Sequence, residues 1–157
     1  MKSVDAGPAG DVERLYRDDG ARLWRAILFL SGDPEIANDA VAEAFAQALA
    51  RGSEIRSLRA WVWKAAFLIA NGQLKERRRA PPQTGPDFRQ FPEATVELVE
   101  ALRTLSPRQR SSVILHYYQG YTLRETAQLL GSTIPTVAVH LRRARRKLKD
   151  YLEADDG

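Results

Sequence analysis

Along most of the chain apolar residues return every third or fourth position, the spacing that lines one side of an α-helix. Val12, Leu15, Tyr16, Leu23, Ala26, Ile27 and Leu30 trace a first stripe, closed by Ser31 and Gly32. Asp33, Pro34 and Glu35 then supply an N-cap, a first-turn proline and a first-turn acid. They open a second stripe of Ala37, Ala40, Val41, Ala44, Phe45, Ala48 and Leu49, with Glu35, Asp39 and Glu43 along the opposite face. A third helix starts near Leu58, is apolar nearly all round in its first half and ends in Lys75, Arg77, Arg78 and Arg79. Trp61 and Trp63 stand two residues apart, so on a helix they point about 200° apart and cannot share one core. One of them is expected at the surface or in an interface. The prolines of APPQTGPDFRQFP stop that helix, and Val96, Val99, Leu102 and Leu105 begin a further stripe. No alternating strand pattern stands out, so the expected fold class is all-α.

The stretch from Ser106 to Leu152 carries its own punctuation. Ser106, Pro107 and Gln109 form an N-cap, first-turn proline and capping box, and Gly120 ends the helix they start. Its Val113, Ile114, Tyr117 and Tyr118, with His116, read mainly as packing residues. Thr122 and Glu125 make a second capping box for a short helix bearing Leu123, Ala127 and Leu130, and Gly131 supplies the turn that follows. Thr133 caps a last helix with Pro135 in its first turn, and Val137, Leu141, Ala144, Leu148 and Leu152 lie along one face. Two helices joined by a tight glycine turn, the second arginine-rich, have the pattern of a helix-turn-helix. Between Arg142 and Lys149 six residues are basic and none is acidic. A solvated helix face would show the same charges, but the capped helix and Gly131 upstream favour a phosphate-rich partner.

Composition narrows the picture further. The chain has 157 residues, 24 Lys and Arg against 20 Asp and Glu, and a net charge of +4, compatible with nucleic-acid binding. It contains no cysteine and 2 histidines, so disulfides and thiolate metal sites are excluded and a structural zinc is not expected. No cofactor is expected either. No triad, phosphate loop or metal cluster can be assembled, so an enzyme is not expected. The N-terminus lacks an apolar signal core and no stretch is long enough to span a bilayer, which implies a cytoplasmic protein. The expected layout is a disordered tail at 1–10, a first helical domain at 11–79, a flexible linker at 80–93 and a second domain at 94–157.

These residues resemble a bacterial sigma factor of the sigma-70 family, in the compact extracytoplasmic-function group that keeps regions two and four. The resemblance rests on LSPRQRSSVILHYYQGYTLRETAQLLGSTIPTVAVHLRRARRKL for region four, and on DPEIANDAVAEAFAQALA, LRAWVWKAA and the closing arginines for region two. It implies a specificity subunit that binds core RNA polymerase and promoter DNA, restrained by an anti-sigma factor; a monomer is the default expectation for the free chain. Asp39 and Glu43 would then bind core polymerase. Thr133, Thr136, Ala138, Val139, His140, Arg142 and Arg143 would meet the minus-35 duplex. Trp61, Trp63, Lys64, Asn71, Lys75, Arg77 and Arg78 would hold the minus-10 strand, the tryptophans as a stacking surface for unpaired bases.

Trp61, Val62, Trp63, Phe67 and Leu68 form an apolar surplus that an anti-sigma factor would cover. The chain departs from the family pattern at Ala42, at Phe67, Leu68 and Gly72, and at Ala138 and Val139. The departures at Phe67, Leu68 and Gly72 keep open a second reading, a sigma-like helix-turn-helix regulator that binds DNA without opening promoters.

Overall fold

A computed structural model describes residues 7–81 and 85–156. Among them are seven α-helices: α1 (Gly7–Ser31), α2 (Pro34–Arg51), α3 (Leu58–Arg79), α4 (Glu93–Arg103), α5 (Pro107–Val113), α6 (Leu123–Leu130) and α7 (Ile134–Asp156). A 3₁₀ turn, Gly52–Glu54, joins α2 to α3, and α5 runs on into a π-helical turn, Ile114–Tyr118.

The punctuation read from sequence works as physical chemistry requires. Asp33 caps α2 by accepting from the Glu35 amide at 2.8 Å. Both capping boxes close: Ser106 Oγ accepts from Gln109 N at 3.2 Å and Gln109 Oε1 from Ser106 N at 3.1 Å. Thr122 Oγ1 accepts from Glu125 N at 3.0 Å and Glu125 Oε1 from Thr122 N at 2.9 Å. Gly131 stops α6 at φ 61°, a left-handed conformation that suits a residue without Cβ.

Two expectations change. Gly7–Gly10, assigned to a disordered tail, form the first turns of α1, whose Gly10 and Val12 are buried; residues 1–6 lie outside the described residues. Tyr117, read as a packing residue, is 54% exposed, because the π-helical turn carries it off the buried side occupied by Ile114 and Leu115. His116 does pack, its Nδ1 lying 2.7 Å from the Tyr121 carbonyl.

Helices α1, α2 and α3 form one bundle around Leu23, Ile27, Ala40, Ala44, Val62 and Ala66, and Trp24 Nε1 donates to Asn38 Oδ1 at 2.7 Å to fasten α1 to α2. The C-terminal helices have smaller apolar clusters of their own, Leu102, Leu105 and Ala144 in one, Ala127, Val137 and Leu141 in the other. The halves also meet: Val99, Ile114, Leu115 and Leu129 join the core of the N-terminal bundle. Between them the connecting segment, of which 82–84 lie outside the described residues, is fastened by two aromatic rings. Phe91 stacks on Trp24 at 6.1 Å between centroids, and Phe88 packs 5.7 Å from Phe91.

Candidate nucleic-acid interface

Helices α6 and α7, joined through Gly131, build the helix-turn-helix. The buried Val137, Leu141 and Ala144 anchor one face of α7, which turns Thr133, Thr136, Ala138, Arg142 and Arg143 outward, all exposed. Thr133 acts as the cap: its Oγ1 accepts from the Thr136 amide at 3.3 Å and donates to Thr136 Oγ1 at 2.8 Å. Arg142 and Arg143 make no hydrogen bond or ion pair with any described residue, whereas Arg145 donates to Tyr117 Oη at 2.7 Å. Two uncommitted guanidinium groups in the third turn of such a helix can fork onto guanine or pair with phosphate.

Val139 and His140 are half-buried. His140 borders a cleft of about 280 Å³ between α7, α5 and α3, whose wall includes Phe67, Leu68, Asn71, Lys75, Arg78 and Arg108. Its Nδ1 is buried without a partner, as is Asn71 Oδ1. Burial, with the charges of Arg108 and Arg143, holds the His140 pKa below the ordinary histidine value.

Along α3 the expected strand-binding residues separate. Trp63 is completely buried; its Nε1 donates to the Asp19 carboxylate at 2.7 Å and Tyr121 meets its ring edge-on at 6.3 Å. The expectation that it stacks on a base is therefore corrected: an indole enclosed on all sides and hydrogen-bonded inside has no open face. Trp61 takes the surface position, half-buried, with the Arg51 guanidinium 5.6 Å from its ring centroid. Lys64, Lys75 and Arg78 are exposed and unpaired among the described residues. Arg77 pairs with Asp33, the residue that caps α2. Asn71 donates to Ser111 Oγ at 3.5 Å across the cleft.

The apolar surplus also resolves inward. Val62, Trp63 and Phe67 are core residues, and Leu68, 62% exposed, is the large side chain left outside. On the far side of the bundle, Asp39 and Glu43 are exposed along α2. Near them runs an apolar groove of about 620 Å³ whose wall includes Tyr16, Val41, Ala42, Phe45 and Leu49.

Sequence reasoning missed Asp19, which holds Trp63 inside the bundle, and the residues that join the halves: Arg22, Arg103, Arg110, Gln119 and Tyr121. Their roles depend on partners dozens of positions away, and no local pattern marks them.

The family described as Sigma-70, region 4, matches residues 95–148, which include the helix-turn-helix. A curated relative, the ECF RNA polymerase sigma factor SigL of Mycobacterium tuberculosis, is 30% identical over 98% of this chain and 95% of its own length. The chain belongs to the extracytoplasmic-function sigma factors. Another relative, the RNA polymerase sigma-E factor of Streptomyces antibioticus, is 29% identical over 96% of this chain and 89% of its own length. The fold is that of solved sigma factors. RpoE of Bartonella quintana, crystallised with the anti-sigma factor NepR, superposes with a TM-score of 0.74 at 23% identity, over 92% of this chain and 98% of that one. CnrH in complex with the cytosolic domain of CnrY gives 0.74 at 21% identity, over 92% and 88%. The full-length likeness favours a sigma factor over a sigma-like regulator. The residues matched to region four run from α4 into α7.

Proposed function

We propose that this sigma factor binds core RNA polymerase through the Asp39 and Glu43 face of α2, and directs transcription initiation by reading the minus-35 duplex with α7 and holding the minus-10 strand on α3. The observation that carries the reading is the helix-turn-helix, set in a family whose members are named as RNA polymerase sigma factors, with Arg142 and Arg143 exposed and uncommitted in the third turn of its second helix. On α3 the contacts are Trp61 for base stacking and Lys64, Lys75 and Arg78 for the backbone. Arg77 joins them on giving up Asp33, and Asn71 on giving up Ser111. In region four, Ala138 offers a small apolar contact of the kind that suits a thymine methyl.

The same reading makes promoter DNA and core polymerase the partners, with an anti-sigma protein as a further one. Leu68, Trp61 and the groove beside Tyr16 are the apolar surfaces left for such a protein to cover. Among the described residues no helix is long and apolar enough to cross a membrane, and action on DNA in the cytoplasm fits the reading.

Charge reversal tests the docking face. Asp39→Lys with Glu43→Lys should weaken association with purified core polymerase at least about tenfold, since like charges across an interface cost several kcal/mol, and leave binding to minus-35 duplex unchanged. Unaltered polymerase binding by a folded double variant would place the docking face elsewhere.

A further inference from the structure

The cleft between α3, α5 and α7 combines an apolar wall with cations that have no counter-charge. Phe67, Leu129 and Val137 are buried in its lining, with Leu68 and Leu130 beside them. Lys75 and Arg78 of α3 and Arg108 of α5 line it as well, all three exposed and without a hydrogen bond or ion pair to any described residue. The lining holds no aspartate or glutamate. The crowding is felt by neighbouring groups, whose pKa values are lowered first by burial and then by arginines: Arg103 and Arg78 for Arg110, Arg108 and Arg143 for His140. Like charges held together without an acid repel, and an anion placed among them relieves that repulsion.

Hydrogen bonding in the same wall is incomplete. Four buried side-chain polar atoms lack a partner among the described residues, and two of them, Asn71 Oδ1 and His140 Nδ1, belong to this lining. Buried polar atoms are as a rule paired, so two orphans in one wall mark a place short of a partner. The Asn71 amide makes a single long bond, from Nδ2 to Ser111 Oγ at 3.5 Å. With Nδ1 shut in, His140 keeps Nε2 as its open nitrogen, a donor in the tautomer that leaves Nδ1 bare. Ser132, just ahead of α7, adds a hydroxyl to the lining.

We infer that this cleft is a binding site for a small organic phosphate, its phosphoryl group held by Lys75, Arg78, Arg108 and His140 Nε2 and its apolar body laid against Phe67, Leu68 and Leu129. Several cations around one group suit a dianion better than the single charge of a carboxylate. The volume of about 280 Å³ has room for roughly ten non-hydrogen atoms at about 30 Å³ each, so the ligand is small. The site stands on the cleft alone. Its consequence rests on the proposed reading: an occupied cleft withholds Lys75 and Arg78 from the minus-10 strand.

The full chain has 2 histidines, and His116 lies outside the lining, so the ring signals of the pair give a local readout. Phenyl phosphate titrated into the full chain in about 0.15 M salt should shift the His140 ring signals in NMR spectra and leave those of His116 in place, with His140→Gln identifying which is which. Inorganic phosphate and phenol, the two halves of the probe, should each bind at least about tenfold more weakly, since one lacks the apolar body and the other the charge. Arg108→Ala, at an exposed position, should weaken phenyl phosphate about tenfold with the thermal midpoint of the free chain unchanged. An unshifted His140, or undiminished affinity in Arg108→Ala, would overturn the site. Inorganic phosphate binding as well as phenyl phosphate would reduce the cleft to a patch of cations, and benzoate binding as well would remove the preference for phosphate; either result overturns the proposal. Saturating phenyl phosphate should also weaken binding of single-stranded minus-10 DNA, and undiminished binding would overturn the consequence drawn for the promoter. A chain that takes phenyl phosphate but binds no promoter DNA would uphold the site and remove the functional reading instead.

Discussion

Buried between the helices of the N-terminal bundle, Trp63 does structural work that its neighbour Trp61 does not. It fills the bundle and satisfies the carboxylate of Asp19, itself nearly buried and 3.5 Å from the exposed Arg59. Trp63→Ala should cost about 3–5 kcal/mol of unfolding free energy, measured by urea denaturation, because it opens a cavity and strands the carboxylate. Trp61→Ala should cost little stability and weaken single-stranded minus-10 binding by about 1–3 kcal/mol. At Arg143, replacement by alanine should weaken duplex binding by about 1–3 kcal/mol with lost preference at one base pair if it reads a base, and uniformly, with a shallower salt slope, if it meets phosphate. Unchanged duplex affinity would remove Arg143 from the interface. His140 faces Arg108 from α5, Lys75 and Arg78 from α3 and Arg143 from α7, with no carboxylate in the cleft wall. Its folded pKa is lowered, so the unfolded chain takes up the proton first. The stability it contributes is complete above about pH 6.5 and is lost as pH falls below that value. Thermal midpoints from pH 7 to pH 5 should fall more steeply for the parent than for His140→Gln.

At the scale of elements, termini were the most legible feature of the chain. Asp33-Pro34, Ser106-Pro107-Arg108-Gln109, Thr122-Leu123-Arg124-Glu125 and Gly131 each act where the sequence pattern puts them, because caps and tight turns are settled by residues within four positions. Replacement of Thr122 by alanine should therefore destabilise region four by about 1 kcal/mol, read from its denaturation midpoint, and weaken duplex binding only through that loss. The orientation of a helix about its own axis was less legible. Which of Trp61 and Trp63 turns inward depends on Asp19 and Tyr121, far away in sequence, and the surfacing of Tyr117 depends on a π-helical turn that no apolar period announces. Gly7–Gly10 read as a tail because glycine and proline dominate them, yet burial of Gly10 and Val12 carries the helix back through them.

For the whole molecule, the all-α class, the sigma-type order of elements and the helix-turn-helix follow from periodicity and family pattern. The closed arrangement does not. It depends on Arg22 finding Gln119 and on Arg110 finding Leu30, 97 and 80 residues apart, and such pairings are set by tertiary packing. The most direct measurement is transcription by purified core RNA polymerase on fragments of the source genome, with and without this protein, mapping the new 5′ ends. New starts that share an upstream element, lost when Arg142 and Arg143 are both replaced by alanine, are the predicted result. The absence of new starts from the parent chain bound to polymerase would contradict a role in initiation.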